Sequence, residues 1–123
     1  MLERQIDPLS EVLVTVGAYG SLYNALSGFL EKDDEVIIIE PFFDCYAPMS
    51  VLAEAKCKYI PLRPNKKESS DSSLVTSADW CWDEDELSSA FNSKTKVIII
   101  NSPNNPLGFI AILLQNWFKN KFN

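Results

Sequence analysis

DEVIIIEPFFDCYAPM, residues 34–49, decides the architecture of this chain. Val36 to Ile39 are all β-branched and do not alternate with polar residues. A half-exposed strand alternates; an uninterrupted apolar run suits a strand covered on both faces, as in the sheet of an α/β protein. Pro41 stops the strand, because proline has no N–H to contribute to the ladder. Phe42, Phe43 and Tyr46 follow at once. Cys45 to Ala55 then reads as a helix, with Pro48 in the first turn, where a missing N–H is harmless.

Upstream, residues 11–26 read EVLVTVGAYGSLYNAL. Val12–Val16 has the look of a short buried strand, and it runs into the turn Gly17-Ala18-Tyr19-Gly20-Ser21. Tyr19, Leu22, Tyr23, Leu26, Phe29 and Leu30 then fall at helical spacing on one apolar face. Downstream, Lys58–Leu62 is a third strand. Residues 63–79, RPNKKESSDSSLVTSAD, are rich in Pro, Ser, Lys and Asp and predict a long exposed loop. Trp80–Trp82 is a short extended segment. Asp83 with Glu86 three residues on marks a helix start, with Leu87, Ala90 and Phe91 facing inward. Lys96–Ile100 is a fourth strand, ending in the turn-rich Asn101–Gly108. Strands alternating with helices imply an α/β fold with a largely parallel sheet. Ligands of such sheets bind outside the carboxyl ends of the strands.

Composition narrows the class. A chain of 123 residues with 46% hydrophobic and 23% charged residues is a single small globular domain. Its net charge of -6 argues against a nucleic-acid partner. With no histidine there is no Ser-His-Asp or Cys-His nucleophile system and no histidine-ligated metal. Three cysteines, an odd number without C-x-x-C spacing, fit reduced thiols of a cytoplasmic protein better than a zinc site or a disulfide framework. The opening MLERQIDPLS does not read as a secretory signal. The apolar run 109–114 is far short of the about 20 residues that span a bilayer, so no membrane partner is expected.

Three segments carry the chemistry, each with two readings. Gly17–Ser21 delivers a strand into a helix start, where free N–H groups and the helix dipole favour an anion; it is equally an ordinary strand-to-helix turn. It has neither the Gly-x-Gly-x-x-Gly of dinucleotide binders nor the Gly-Lys-Ser/Thr of a P-loop, which disfavours a nucleotide or flavin domain. The aromatics at 42–46 can stack on a planar heteroaromatic ligand or simply pack the core. Asn101–Gly108 is a proline-fixed turn able to aim an amide such as Asn105, or a plain turn. Acidic Asp83–Glu86 is a solvated helix start.

Taken with TKVIIINSPNNPLG at 95–108, these segments resemble the fold-type I, class I/II aminotransferases, which depend on pyridoxal 5'-phosphate. They resemble in particular the kynurenine aminotransferase and cysteine-S-conjugate β-lyase group. The resemblance covers about residues 9–108, and PFFDCY and N-x-P-x-N-P-L-G are its specific blocks. It implies that residues 1–108 are part of the large, cofactor-binding domain, a three-layer α/β/α unit with an incomplete mixed sheet. The 63–79 loop lies within that unit, and 109–123 forms a divergent tail. It implies that the backbone of Gly17, Ala18 and Tyr19 holds the cofactor phosphate and that Phe43 stacks on the pyridine face. Asn105 would bond the phenolic oxygen, with Asn101 on the same wall and Tyr46 near the substrate pocket.

The resemblance also implies what is missing. Members carry an Asp, a Tyr, a Schiff-base lysine and a carboxylate-binding Arg after the N-P-L-G block. Lys94, Lys96, Lys119 and Lys121 do not sit in that lysine's context, so no catalytic residue is assigned and the chain is expected to be inactive alone. The implied activity is amino transfer from an aromatic or sulfur amino acid to a 2-oxo acid, in a homodimer of the cytoplasm or, for some members, the mitochondrion. The alternative is a non-catalytic partner of full-length subunits. By family order only strands 35–39 and 58–62 are expected to keep each other as neighbours, leaving a marginal domain that aggregates through its VIII strands. In the tail, Ile110, Leu113, Leu114, Trp117 and Phe118 can form one helical face.

Overall fold

The structure, a computed structural model, describes residues 4–65 and 75–111. Along the chain run α1 (Gly17–Phe29), β1 (Glu35–Glu40), α2 (Tyr46–Leu52), β2 (Lys56–Pro61), β3 (Arg63–Pro64), β4 (Trp80–Cys81), α3 (Glu84–Ala90) and β5 (Thr95–Ile99). A short 3-10 turn, Ser77–Asp79, precedes β4.

β1 is the axis of the fold. It pairs in parallel with β2, Val36 opposite Cys57 and Ile39 opposite Ile60, and on its other side with β5, Val36 opposite Val97 and Ile38 opposite Ile99. The sheet order is β2-β1-β5, so the central position belongs to the strand whose sequence has no polar face. Val36, Ile37 and Ile38 are fully buried. Successive side chains leave opposite faces of a strand. Val36 and Ile38 accordingly join Leu26, Leu30, Cys45, Tyr46 and Ala55 under α1 and α2. Ile37 and Ile39 join Ile60, Leu62 and Leu87 under α3. Two cores on one sheet make the three-layer α/β/α unit.

The neighbours of β5 correct an expectation. Strand 95–99 keeps β1 as its partner, so β1 has a hydrogen-bonded strand on both edges and three strands stand together. All three are parallel, and among the described residues antiparallel pairing is confined to β3 with β4. A second correction concerns Val12–Val16, which forms no strand. Val12, Leu13, Val14 and Val16 are 52%, 73%, 89% and 95% exposed. An extended segment becomes a strand only when a neighbour takes its N–H and C=O groups. Both sides of β1 are occupied, and neither β2 nor β5 pairs with 12–16 among the described residues.

The helices follow their apolar spacing with smaller adjustments. Leu22 and Leu26 of α1 and Leu30 at its C-cap repeat every four residues and pack inward. Phe29 falls off that stripe and is 73% exposed. α2 stops short of the expected Ala55, because Glu54 turns into the left-handed region at φ 57 and the Ala55 N–H returns to the Ser50 carbonyl. α3 begins where its acidic cap predicts: Asp83 Oδ1 accepts from the Glu86 N–H at 2.8 Å. Leu87 is fully buried, with Ala90 and Phe91 packed beside its cluster. Replacing Asp83 with alanine orphans that N–H and is expected to cost about 0.5–2 kcal/mol, read as a lower urea midpoint; Asp83→Ser should recover most of it.

The long connection is ordered at both described ends. Arg63 and Pro64 pair with Cys81 and Trp80, and Arg63 forms an ion pair with Glu86. Thr76 and Asp79 cap each other reciprocally ahead of β4. Residues 66–74 of the expected loop lie outside the described residues, as does the tail from 112 onward, including Leu113, Leu114, Trp117 and Phe118. Phe109 belongs to the second core: its ring meets Trp82 edge-on at 5.6 Å. Ile110 is exposed. Among the described residues no helix is long and apolar enough to cross a membrane.

Candidate functional site

Parallel strands give the sheet two chemically different ends. At the amino ends the charges gather: Lys58 Nζ lies 2.8 Å from Glu35 Oε2 and donates to the Ala90 carbonyl, while Asn92 Nδ2 also donates to Glu35. Lys56 pairs with Asp33 at 2.6 Å. At the carboxyl ends stand rings and amides. Because α1 precedes β1 through a short connection and runs back along the sheet, its N-terminus lies at this same carboxyl end.

Gly17 opens α1 at φ 67, a left-handed conformation glycine adopts without strain, and a Cβ there would meet nothing within 4 Å. Among the described residues no side chain caps this helix, and no acidic residue occupies its first turn. Its N-terminus therefore keeps the positive end of the helix dipole open. Thr15 braces the turn: its hydroxyl donates to the Gly17 carbonyl at 2.9 Å and lies 2.6 Å from the Ser21 hydroxyl.

The aromatic segment meets that turn. The Tyr19 and Phe43 rings pack edge-to-face with centroids 5.6 Å apart, and Tyr19 Oη donates to Asp44 Oδ1 at 3.2 Å. Loss of solvent and the Asp44 carboxylate both push the Tyr19 phenol above its ordinary pKa, so at neutral pH it remains a donor. Phe43 also meets Tyr46 edge-on at 6.1 Å, while Phe42 stacks on Tyr59 at 5.7 Å. Phe43 thus stands toward the α1 turn, whereas Phe42 belongs to the packing over β2. Tyr46 is buried, and burial raises its pKa.

The third element is the turn after β5. In the amide orientation that satisfies both its atoms, Asn101 accepts from the Asn105 N–H at 3.0 Å and donates to the Pro103 carbonyl at 3.1 Å. Asn105 is exposed. Asn104, which sequence reasoning passed over, is buried; its side chain donates to the Pro41 carbonyl and accepts from the Leu107 N–H.

These blocks match a known family over residues 3–115, that of aminotransferase class I and II. The chain belongs to this aminotransferase family. It is 54% identical over 106 residues to kynurenine--oxoglutarate transaminase 3 of Mus musculus, covering 86% of this chain and 23% of the relative. It is 46% identical over 108 residues to kynurenine--oxoglutarate transaminase 1 of Homo sapiens, covering 88% and 25%. Among solved structures, Bna3p of Saccharomyces cerevisiae, a proposed kynurenine aminotransferase, superposes with a TM-score of 0.75 at 36% identity, over 86% of this chain and 26% of that one. The chain spans about a quarter of the length of these relatives.

Against the aminotransferase expectation, Tyr19 and Phe43 touch directly, and Asn101 and Asn105 share one hydrogen bond. Lys96 sits in the first half of β5 and Lys94 just before it, at the amino end of the sheet and away from Phe43. Lys119 and Lys121 lie outside the described residues. The three cysteines are free, and among the described residues no group of side chains could hold a metal.

The amino-end ion pair yields a pH prediction. The Lys58 ammonium first, and the Asn92 amide with it, hold the Glu35 carboxyl below its ordinary value of 4.5. A carboxyl whose folded pKa is depressed contributes stability that is present above its unfolded pKa and lost as pH falls through the folded one. The urea midpoint is expected to fall below about pH 4.5, and Glu35→Gln should flatten that limb; an unchanged limb would remove Glu35 from the account.

Proposed function

We propose that this chain forms one wall of a pyridoxal 5'-phosphate site in a kynurenine aminotransferase of the class I and II family. The observation that carries the reading is the convergence, at the carboxyl ends of β1 and β5, of an uncapped helix N-terminus with the Phe43 ring. The residues present fit a group with a phosphate and a flat ring. The Gly17 N–H is taken by the Thr15 carbonyl at 2.9 Å, so the donors left for a phosphate at this turn are the N–H groups of Ala18 and Tyr19, which no carboxylate of the turn opposes. Phe43 offers a flat apolar surface to a ring. Asn105, exposed beside Asn101, offers an amide to a phenolic oxygen, and Tyr46 closes the inner side next to Phe43. When bound, the cofactor supplies the electron sink for amino-group chemistry. The described residues bind and orient it, and Lys94 and Lys96 stand at the amino end of the sheet, away from Phe43, where they do not serve as its covalent anchor. In the whole protein the donor would be an aromatic or sulfur amino acid and the acceptor a 2-oxo acid, within a homodimer.

The test uses pyridoxine 5'-phosphate, which has no aldehyde to react with surface lysines. Saturable binding to the 123-residue polypeptide, weakened by Phe43→Ala, is the expected result. No binding would remove the cofactor wall. In parallel, pyridoxal 5'-phosphate followed by borohydride and mass analysis should yield only scattered lysine adducts and no turnover of kynurenine with 2-oxoglutarate. A single adduct at one lysine would show that the anchor lies within these residues.

A second reading, pairing with full-length subunits, is favoured by one observation: the apolar segment 12–16 is exposed and without a strand partner among the described residues. Co-purification with a full-length subunit tests it, and failure to co-purify would end it.

A further inference from the structure

Two polar side chains are buried among the described residues, Ser50 and Asn104. Ser50 is accounted for locally, its hydroxyl donating to the Tyr46 carbonyl within α2. Asn104 instead joins segments far apart in sequence. Its Nδ2 donates to the Pro41 carbonyl at 3.1 Å, immediately before Phe42 and Phe43. Its Oδ1 accepts from the Leu107 N–H at 3.1 Å, closing the turn that carries Asn105. Its own N–H donates to the Phe109 carbonyl and its carbonyl accepts from the Gly108 N–H, both at 2.7 Å. Every backbone and side-chain polar group of this residue is engaged at the seam between the two loops.

We infer that Asn104 is a positioning residue that holds the Phe43 loop and the Asn105 turn in fixed register across the mouth of β1 and β5. The inference rests on the proposed cofactor wall and names what keeps its two halves together. β1 and β5 bond to each other only as far as Ile38 with Ile99. Beyond that point the backbones diverge into Pro41–Asp44 and Asn101–Gly108, and neither loop belongs to a ladder. Pro41 has no N–H to offer, so its carbonyl is the group through which a neighbour can hold this corner. A buried amide serves both ends at once, donating across the seam and accepting within its own turn. Asn105 is one residue away, so a shift of Asn104 moves it, while the α1 turn that would take a phosphate makes none of these bonds.

The variants separate the two bonds. Asn104→Asp keeps an acceptor for the Leu107 N–H and removes the donor to Pro41. Asn104→Ala removes both. On the 123-residue polypeptide the probes are pyridoxine 5'-phosphate, which needs ring, phenolic oxygen and phosphate contacts, and inorganic phosphate, which needs only the α1 turn. Asn104→Asp is expected to weaken pyridoxine 5'-phosphate about tenfold, the weight of one buried hydrogen bond, with phosphate binding unchanged; Asn104→Ala should weaken it further. Wild-type binding of both probes by Asn104→Asp overturns the inference. So does equal loss of both, which would mark a general structural residue. If the parent chain binds neither probe, the cofactor wall itself fails, and hydrogen exchange still judges the clamp. Faster exchange confined to 41–46 and 101–109 in Asn104→Asp supports it, while unchanged exchange, or exchange raised everywhere, overturns it.

Discussion

Ile37→Ala is expected to destabilise this polypeptide by about 2–5 kcal/mol and to lower its urea midpoint further than any exposed substitution. Ile37 has no solvent-accessible surface, lies on the central strand, and faces the cluster of Ile39, Ile60, Leu62 and Leu87. Removing its outer carbons forfeits their transfer free energy and leaves a cavity that the rigid sheet cannot close. A small domain has only about 5–15 kcal/mol in total, so one such loss is a large share. Leu9→Ala is the matched control: Leu9 is 95% exposed and its replacement should leave the midpoint nearly unchanged. Equal shifts for the two variants would mean that β1 is not the packed axis of the fold.

The Val12→Lys and Val14→Lys double variant is expected to raise the concentration at which the polypeptide self-associates by about tenfold or more, the equivalent of burying one valine. The sequence points to the VIII strands as the aggregating surface, and the fold offers a competing one. Val36 to Ile39 are buried, and Val36 to Ile38 are paired with a strand on both edges. Among the described residues the exposed, β-prone stretch without a strand partner is 12–16, and the outer edge of β5 has no paired strand. Lysines at 12 and 14 leave Thr15 and its bonds to Gly17 and Ser21 untouched, so the α1 turn should survive. Light scattering across a concentration series decides: equal association of parent and variant would place the sticky surface elsewhere.

Much of the local structure around the candidate site was legible because it is set within a few residues of chain. A glycine that opens a helix, a proline that ends a strand, and an acidic residue that caps the N–H three positions on act within one turn of chain. Gly17, Pro41 and Asp83 each do what their neighbourhood predicts. The pairing of Tyr19 with Phe43 was legible only as two candidate segments, since nothing in either says that they touch. Asn104 was missed because it stands beside an identical residue. Asn104 and Asn105 have the same side chain, and the turn geometry alone buries one and exposes the other.

By itself the sequence determined the three helices, the strands β1, β2 and β5, and the rank of β1, because a strand without a polar face has only one stable place, between two layers. It also determined the family, through blocks in order at set spacing. Tertiary structure alone decided the neighbours. Val12–Val16 and Lys96–Ile100 look alike as β-branched runs, yet only the second gained a partner in β1 and became a strand. The physical reason is that apolar patterning is a property of one segment, whereas a ladder is completed by the N–H and C=O groups of another.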